Sequence, residues 1–324
     1  MRDPATGVPL VDEQIDRSVD LSDDKRSAVR AENMIVARFW GGVEWRIVVT
    51  FAVFLIVWTA VTIAGFGGAI PLWLGLVVNS VLASTFYMPM HESVHGNISG
   101  RVTRMRWLNE LVGKVSQVPL MMGHAGHRAS HMKHHAFTNE IGRDPDFFVQ
   151  GRLVDVPKKW LVVSTVNTFL PVFAFVPPAR RLLPSGITKA MDRDPSMAKS
   201  NFLTWIVSTA VLVTCFALGV GPQALVLWYL PARIQMLWLM LVFAWFTHHP
   251  AAQSGRYVDT RVAVFLGSRF LVRGHDHHAL HHLYPRVAHY RLRSLWIEMA
   301  DDLVAKGVRS EGRALAATGP VVWC

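Results

Sequence analysis

The side chains best equipped for chemistry in this sequence are its histidines. All fifteen lie between His91 and His289, gathered as "HESVH", "HAGHRASHMKHH", "THHP" and "HDHHALHH", with His289 alone further on. Positions i, i+3 and i+4 share one face of a helix, so His131, His134 and His135 are expected to converge. By the same spacing His278, His281 and His282 converge, and His91 and His95 form an i, i+4 pair. Eight imidazoles from three segments are too many for one four-coordinate zinc and suit two metal ions. One histidine taken alone would read as a surface or interfacial residue; two HxxHH repeats beside an HxxxH read as a site.

The first group is ambiguous by itself. His91-Glu92-Ser93-Val94-His95 fits HExxH, in which two histidines hold zinc and the glutamate activates water, as in an intramembrane zinc metalloprotease. That reading leaves the other two boxes unexplained. A histidine-rich metal transporter is a further alternative, but transport sites are expected near the bilayer midplane in broken helices, whereas regular helical spacing favours a fixed cofactor. Imidazole suits zinc, copper, iron and nickel alike. Two redox-active irons can bind dioxygen and attack an unactivated C–H bond, which makes iron the expected metal. Cys215 and Cys324 are the only cysteines, too few for a zinc ribbon, an iron–sulfur cluster or a disulfide framework.

These groups must be positioned by membrane-spanning helices. Hydrophobic residues make up 51% of the 324 and charged residues only 17%, low for a soluble domain of this size. Residues 47–90 contain no Asp, Glu, Lys or Arg, enough for two helices of roughly 20 residues around the turn "GFGGAIP". A second apolar block, residues 201–247, is broken by Gly219, Gly221 and Pro222 and carries one charge, Arg233. The expected fold is therefore all-α, with spans at about 47–64, 72–90, 202–220 and 230–248 in two hairpins under a histidine-rich helical cap. Residues 160–179 are also uncharged, but their prolines and "VPPARR" ending suggest an interfacial or re-entrant segment. Both termini, the histidine boxes and nearly every Lys and Arg then share one face, which the positive-inside rule makes cytoplasmic. Attraction to anionic headgroups accounts for the net charge of +10 without nucleic acid. Residues 1–33 read as a disordered polar tail, 34–300 as the membrane domain with an interfacial lead-in helix, and 301–324 as a C-terminal tail.

The boxes together resemble the membrane fatty-acid desaturase superfamily, the histidine-box di-iron enzymes. "HESVHG", "HMKHHAFTNEIGRDPDF" and "HHALHHLYPRVAHYRL" look like its first, second and third boxes, and the likeness covers residues 86–292. It implies that His91, His95, His131, His134, His135, His278, His281 and His282 hold two iron ions, with dioxygen as cosubstrate. "FTHHPAAQSGRYVDTR" is similar to a segment of carotenoid hydroxylases and ketolases, and implies His248 as a ninth ligand. Pro250 disfavours helical geometry at His249, so His248 is expected to end the span and His249 to be peripheral. Asp144, Asp146 and Asp276 are candidates to accept from ligand imidazoles. "HDHH" departs from the usual lead-in to the third box, and His124, His127, His275 and His277 are left without a role. The implied activity is desaturation or hydroxylation of a long hydrocarbon lipid, most simply a fatty acyl chain, with carotenoid ring hydroxylation or ketolation as the alternative. No flavin or nicotinamide motif is evident, so the two external electrons imply a separate donor. The resemblance points to ferredoxin with its reductase, and a basic face would attract such an acidic carrier.

Overall fold

The computed structural model describes residues 23–175, 178, 181 and 195–323. Helices dominate: α1 (Asp23–Val36), α2 (Trp45–Phe66), α3 (Leu72–Val94), α4 (Trp107–Leu120), α5 (His124–Phe137), α6 (Val156–Phe175), α7 (Pro195–Ala217), α8 (Gly221–Phe246), α9 (Ser268–Leu271), α10 (His278–Leu283) and α11 (Leu292–Ala305). Among the described residues, four stretches are long and apolar enough to cross a bilayer: α2, α3, Lys199–Ala217 within α7, and α8. The fourth runs from Gly221 to Phe246, so it starts and stops earlier than the expected 230–248. Pro222 opens this helix rather than breaking it, because a proline at the first turn has no N–H to satisfy. Its closing residues, Met240–Phe246, form wider π-type turns.

Apolar sequence alone does not pack helices, and here polar and small residues set their approach. Asn79 of α3 donates to the Leu227 carbonyl of α8 at 2.8 Å and to Thr62 of α2 at 3.1 Å. Leu227 fits between α2 and α3 because Gly65 and Gly75 face it, and a Cβ built on Gly75 would lie 2.3 Å from its methyl group. Trp160 of α6 donates to the Arg233 carbonyl in α8, and Trp205 of α7 to the Thr168 carbonyl in α6, which ties these three helices together. Arg233, the lone charge of the second block, is buried over the Tyr229 ring. The "VPPARR" end expected to mark an interfacial segment falls largely outside the described residues.

The expectation of an all-α chain needs one correction. β1 (Arg261–Val264) and β2 (Arg309–Gly312) pair in parallel, Arg261 opposite Arg309. Both strands are short and largely buried, so neither shows the alternation by which a half-buried strand is recognised. The segment set aside as a C-terminal tail thus contributes a strand, and Trp323 packs its ring on Phe246 at the end of α8. Likewise α1 begins at Asp23, inside the segment expected to be disordered. It is held by Glu32, a buried carboxylate bonded to Arg256, Tyr257, Tyr284 and Lys306. Residues 1–22 lie outside the description.

Two apolar cores result. One is built around Phe86, Met90 and Trp245 of the membrane helices, with Leu120 of α4. The other, around Leu280, Leu292, Leu295 and Trp296, lies under α10 and α11. The histidine boxes sit at the junction between them.

Candidate metal centre

Four elements deliver the histidines: the end of α3, the whole of α5, the turn after α8, and α10. One nitrogen from each of His91, His95, His131, His135 and His281 lies within 4.8 Å of the others. A second such group contains His134, His248 and His282. His278 joins this second group, its Nε2 lying 3.0 Å from that of His248 and 3.1 Å from that of His282. The nine residues singled out in the sequence are therefore brought together, but as two groups rather than as faces acting whole. Each HxxHH box is split. His131 and His135 face one group and His134 the other, while His278 and His282 face the second and His281 the first. Neighbouring residues on a helix point about 100° apart, whereas i and i+4 differ by about 40°, so the outer pair of a box shares a target that the middle histidine cannot reach.

In both groups the contacts are between Nε2 atoms. They measure 2.9 Å for His95–His131, 3.1 Å for His131–His135 and 3.0 Å for His135–His281. In the second group His134–His248 measures 3.2 Å. An imidazole nitrogen has one hydrogen or one lone pair, so a nitrogen meeting two others cannot bond well to both. His91 sharpens the point: it is fully buried, with neither ring nitrogen hydrogen-bonded. Convergent lone pairs are what a cation satisfies. With metal–imidazole bonds of about 2.0–2.1 Å, ligands at right angles lie about 2.9 Å apart and tetrahedral ones about 3.4 Å. The observed contacts of 2.9–3.2 Å fall within this range. The two groups adjoin, since the rings of His135 and His282 stack with centroids 4.3 Å apart.

The electrostatics suit such a role. Burial, reinforced by the neighbouring imidazoles, pushes His131, His135, His248, His278, His281 and His282 well below the ordinary imidazole range. Burial also brings His95 down to about 4. These rings are neutral at physiological pH, the form that offers a lone pair. His134 is the exception: burial opposes its charge, but the bond to Asp144 and the nearby Asp146 hold its pKa above the usual value.

Among the three candidate acceptors only Asp144 is closely engaged with a clustered histidine. Its Oδ1 accepts from His134 Nδ1 at 2.8 Å. Asp146 is 3.9 Å from the same nitrogen and its side chain is 39% exposed. Asp276 instead accepts from His277 and from Ser268, so it acts one residue away from the box. His248 follows the end of α8 by two residues, in a turn rather than as the last helical position, because the helix closes at Phe246. Its neighbour His249 turns the other way and stacks on Trp245, centroids 4.4 Å apart.

Other residues of the site carry no motif of their own. Thr138 stands 3.2 Å from His282 Nδ1. Asn139, in the left-handed backbone region at φ 63°, donates to the carbonyls of Gln253 and Asp259 and so fastens the end of α5 to the segment after His248. Arg261 is buried and donates twice to the Phe246 carbonyl, capping α8 while it pairs with Glu311. His275 is wholly buried against His91 and His281, ring centroids 4.9 Å from each, and burial brings it down to about 3. Glu92 is buried with both oxygens engaged: it accepts from Asn97 at 2.6 Å and from the backbone and ring of His289 at 2.9 and 2.8 Å. It is a latch between α3 and the loop before α11, pinned where a hydrolytic base would have to be free to reach water.

Comparison with known proteins agrees with this geometry. A family profile described as fatty acid desaturase matches residues 67–310. A probable fatty acid desaturase of Sorghum bicolor is 22% identical over 239 residues, covering 66% of this chain and 60% of the relative. An sn-1 acyl-lipid omega-3 desaturase (ferredoxin) of Nostoc sp. is 22% identical, covering 68% of this chain and 66% of the relative. The protein of the same description from Synechocystis sp. is 24% identical, with 67% and 64% covered. The chain thus spans about three fifths to two thirds of the length of these relatives.

Proposed function

Because the chain belongs to the fatty acid desaturase family, we propose that it is a membrane oxidoreductase that desaturates a fatty acyl chain of a lipid, using two iron ions, dioxygen and an external electron donor. The observation that carries this reading is the pair of adjoining histidine groups, five imidazoles in one and four in the other with His278 included. One ion would be held by His91, His95, His131, His135 and His281, the other by His134, His248, His278 and His282. Such a pair of irons supplies, with dioxygen, an oxidation strong enough to take hydrogen from an unactivated methylene. The balance is one CH2–CH2 unit, one O2, two electrons and two protons in; one CH=CH unit and two waters out.

The chain's own residues prepare the site for this. Burial keeps the imidazoles other than His134 neutral, Asp144 orients His134, and Thr138 orients His282. The rings of Tyr87 and Phe243 beside His91 limit water at the imidazole. Bilayer placement of α2, α3, α7 and α8 puts the boxes at one surface, cytoplasmic by the positive-inside rule. Two of the relatives are described as ferredoxin-type, which supports ferredoxin, with its reductase, as the donor.

The test is expression with a ferredoxin system in a host supplied with acyl lipids and carotenoids, followed by mass analysis of both. Loss of two hydrogens from an acyl chain is the expected result. Gain of oxygen on a carotenoid ring, the activity suggested by "FTHHP", would replace the acyl assignment while keeping the metal centre. Protein that carries a single zinc would overturn the whole reading.

A further inference from the structure

Beside the metal centre, between the start of α2, the end of α3 and the loop bearing α9, lies a cavity of about 220 Å³. Its wall is both basic and apolar. Arg46, Arg269 and Arg273 line it, and so do Ile47, Phe54 and Met88. Arg46 stands in the first turn of α2, and Phe54, eight residues on, lies about 12 Å further along the span. The cavity therefore runs from the end of a membrane helix, where headgroups lie, toward the acyl region.

The arginines have no carboxylate partner among the described residues. Arg46 lies over the Tyr290 ring at 4.6 Å. Arg273 donates to the Phe270 carbonyl at 3.0 Å and the Ser84 hydroxyl at 2.9 Å, while its Nε is buried with no acceptor. Burial alone pushes its pKa down, so an anion alongside would be favourable. Arg269 is exposed. Arg273 also lies over the rings of Phe270 and Trp238, 4.7 and 5.4 Å from their centroids, so the wall holds three cations, two of them on aromatic faces and none paired with a carboxylate among the described residues, a charge that suits an anion.

The loop supplies a second, independent observation. Leu266 is 81% exposed and Phe270 73%, flanking Arg269 on either side. Large apolar side chains interleaved with arginines at the end of a span are the pattern of a segment seated in the interface, rings and methyls in the acyl region and guanidiniums among phosphates.

We propose that this cavity is a binding site for the phosphate of an anionic membrane lipid. Arg269 and Arg273 pair with the phosphate oxygens, for which the guanidinium fork is matched. Arg46 adds charge from the helix side, and the first methylenes of the lipid rest on Phe54 and Met88. The site does not depend on which lipid is oxidised.

The experiment is native mass spectrometry of the full chain in detergent, titrated separately with phosphatidylglycerol, phosphatidylcholine and oleate. Retention of one phosphatidylglycerol about tenfold tighter than phosphatidylcholine is expected, because both present the phosphate but the choline cation of the second is repelled by three arginines. Arg269→Gln and Arg273→Gln should each remove most of that preference, and Arg104→Gln, an exposed charge outside the cavity, should leave it intact. Arg269 is on the surface, so its variant reports even if the half-buried Arg273 variant folds poorly. Equal retention of the two phospholipids, an equal loss in the Arg104 control, or tighter binding of oleate than phosphatidylglycerol would each overturn the proposal.

Discussion

Replacing Asp144 by asparagine removes a charge while keeping the side chain's shape. The carboxylate is buried and accepts three hydrogen bonds: from His134 Nδ1 and the Asp146 N–H on Oδ1, and from the Asn139 N–H on Oδ2, each at 2.8 Å. An asparagine that keeps its oxygen toward His134 sets its NH2 against the Asn139 N–H, donor against donor. Flipped, it sets the NH2 against the Nδ1–H of His134. The first orientation loses one bond to a charged acceptor and the second loses two, since the Asp146 N–H also meets Oδ1, so the first is adopted at a cost of about 1.5–3 kcal/mol. The remaining bond to His134 no longer involves an anion, which weakens the basicity of Nε2, and metal affinity should fall by about 10–100-fold. The assay is iron content after dialysis against a graded chelator series, with a thermal melt of the same samples. Asp146→Asn is the internal control, since its carboxylate is 3.9 Å away and partly solvated, and its iron retention should change much less. Asp144→Asn protein that holds iron as tightly as the parent, or an equal loss in both variants, would refute the argument that one carboxylate orients His134.

The adjacent histidines after α8 should separate cleanly: His248→Ala loses iron and turnover, whereas His249→Arg, changed on the Trp245 side, keeps both; iron loss in the second variant alone would reverse the assignment. Glu92→Gln should lower stability by about 2 kcal/mol through its weakened contacts to Asn97 and His289, and still bind iron; loss of all turnover in a stable, iron-replete variant would give Glu92 a chemical role. Glu32 is expected to make stability pH-dependent. Burial works against its charge, but Lys306, Tyr257, Tyr284 and Arg256 hold its pKa below the ordinary 4.5. Its contribution is then fully present above 4.5 and is lost as pH falls through the lowered folded value. Melting curves of the parent and Glu32→Gln should differ at neutral pH and converge in acid; a constant difference across that window would count against the linkage.

Much of this molecule is written in local pattern. Uncharged runs of about 20 residues specify spans whatever their neighbours, because an unbroken helix is what satisfies backbone groups in hydrocarbon. Histidines at i, i+3 and i+4 are on one side of a helix by geometry alone, so eight of the nine that the fold gathers were legible from spacing, with His248 coming from the resemblance of its segment, and eight imidazoles already raised the expectation of more than one ion. The partition was not. That His134 joins His248, His278 and His282 while His131 and His135 join His91, His95 and His281 depends on where α3, α10 and the turn after α8 come to lie around α5, which is a property of packing between distant segments. The same holds for Asp144 against Asp276: both are acidic residues near a box, and only the tertiary structure turns one toward a clustered histidine and the other toward His277. Glu32 of α1 and the Arg261–Glu311 pair were invisible for a related reason, since a buried charge reads as a surface charge until its partner, 50 or more residues away, is brought to it.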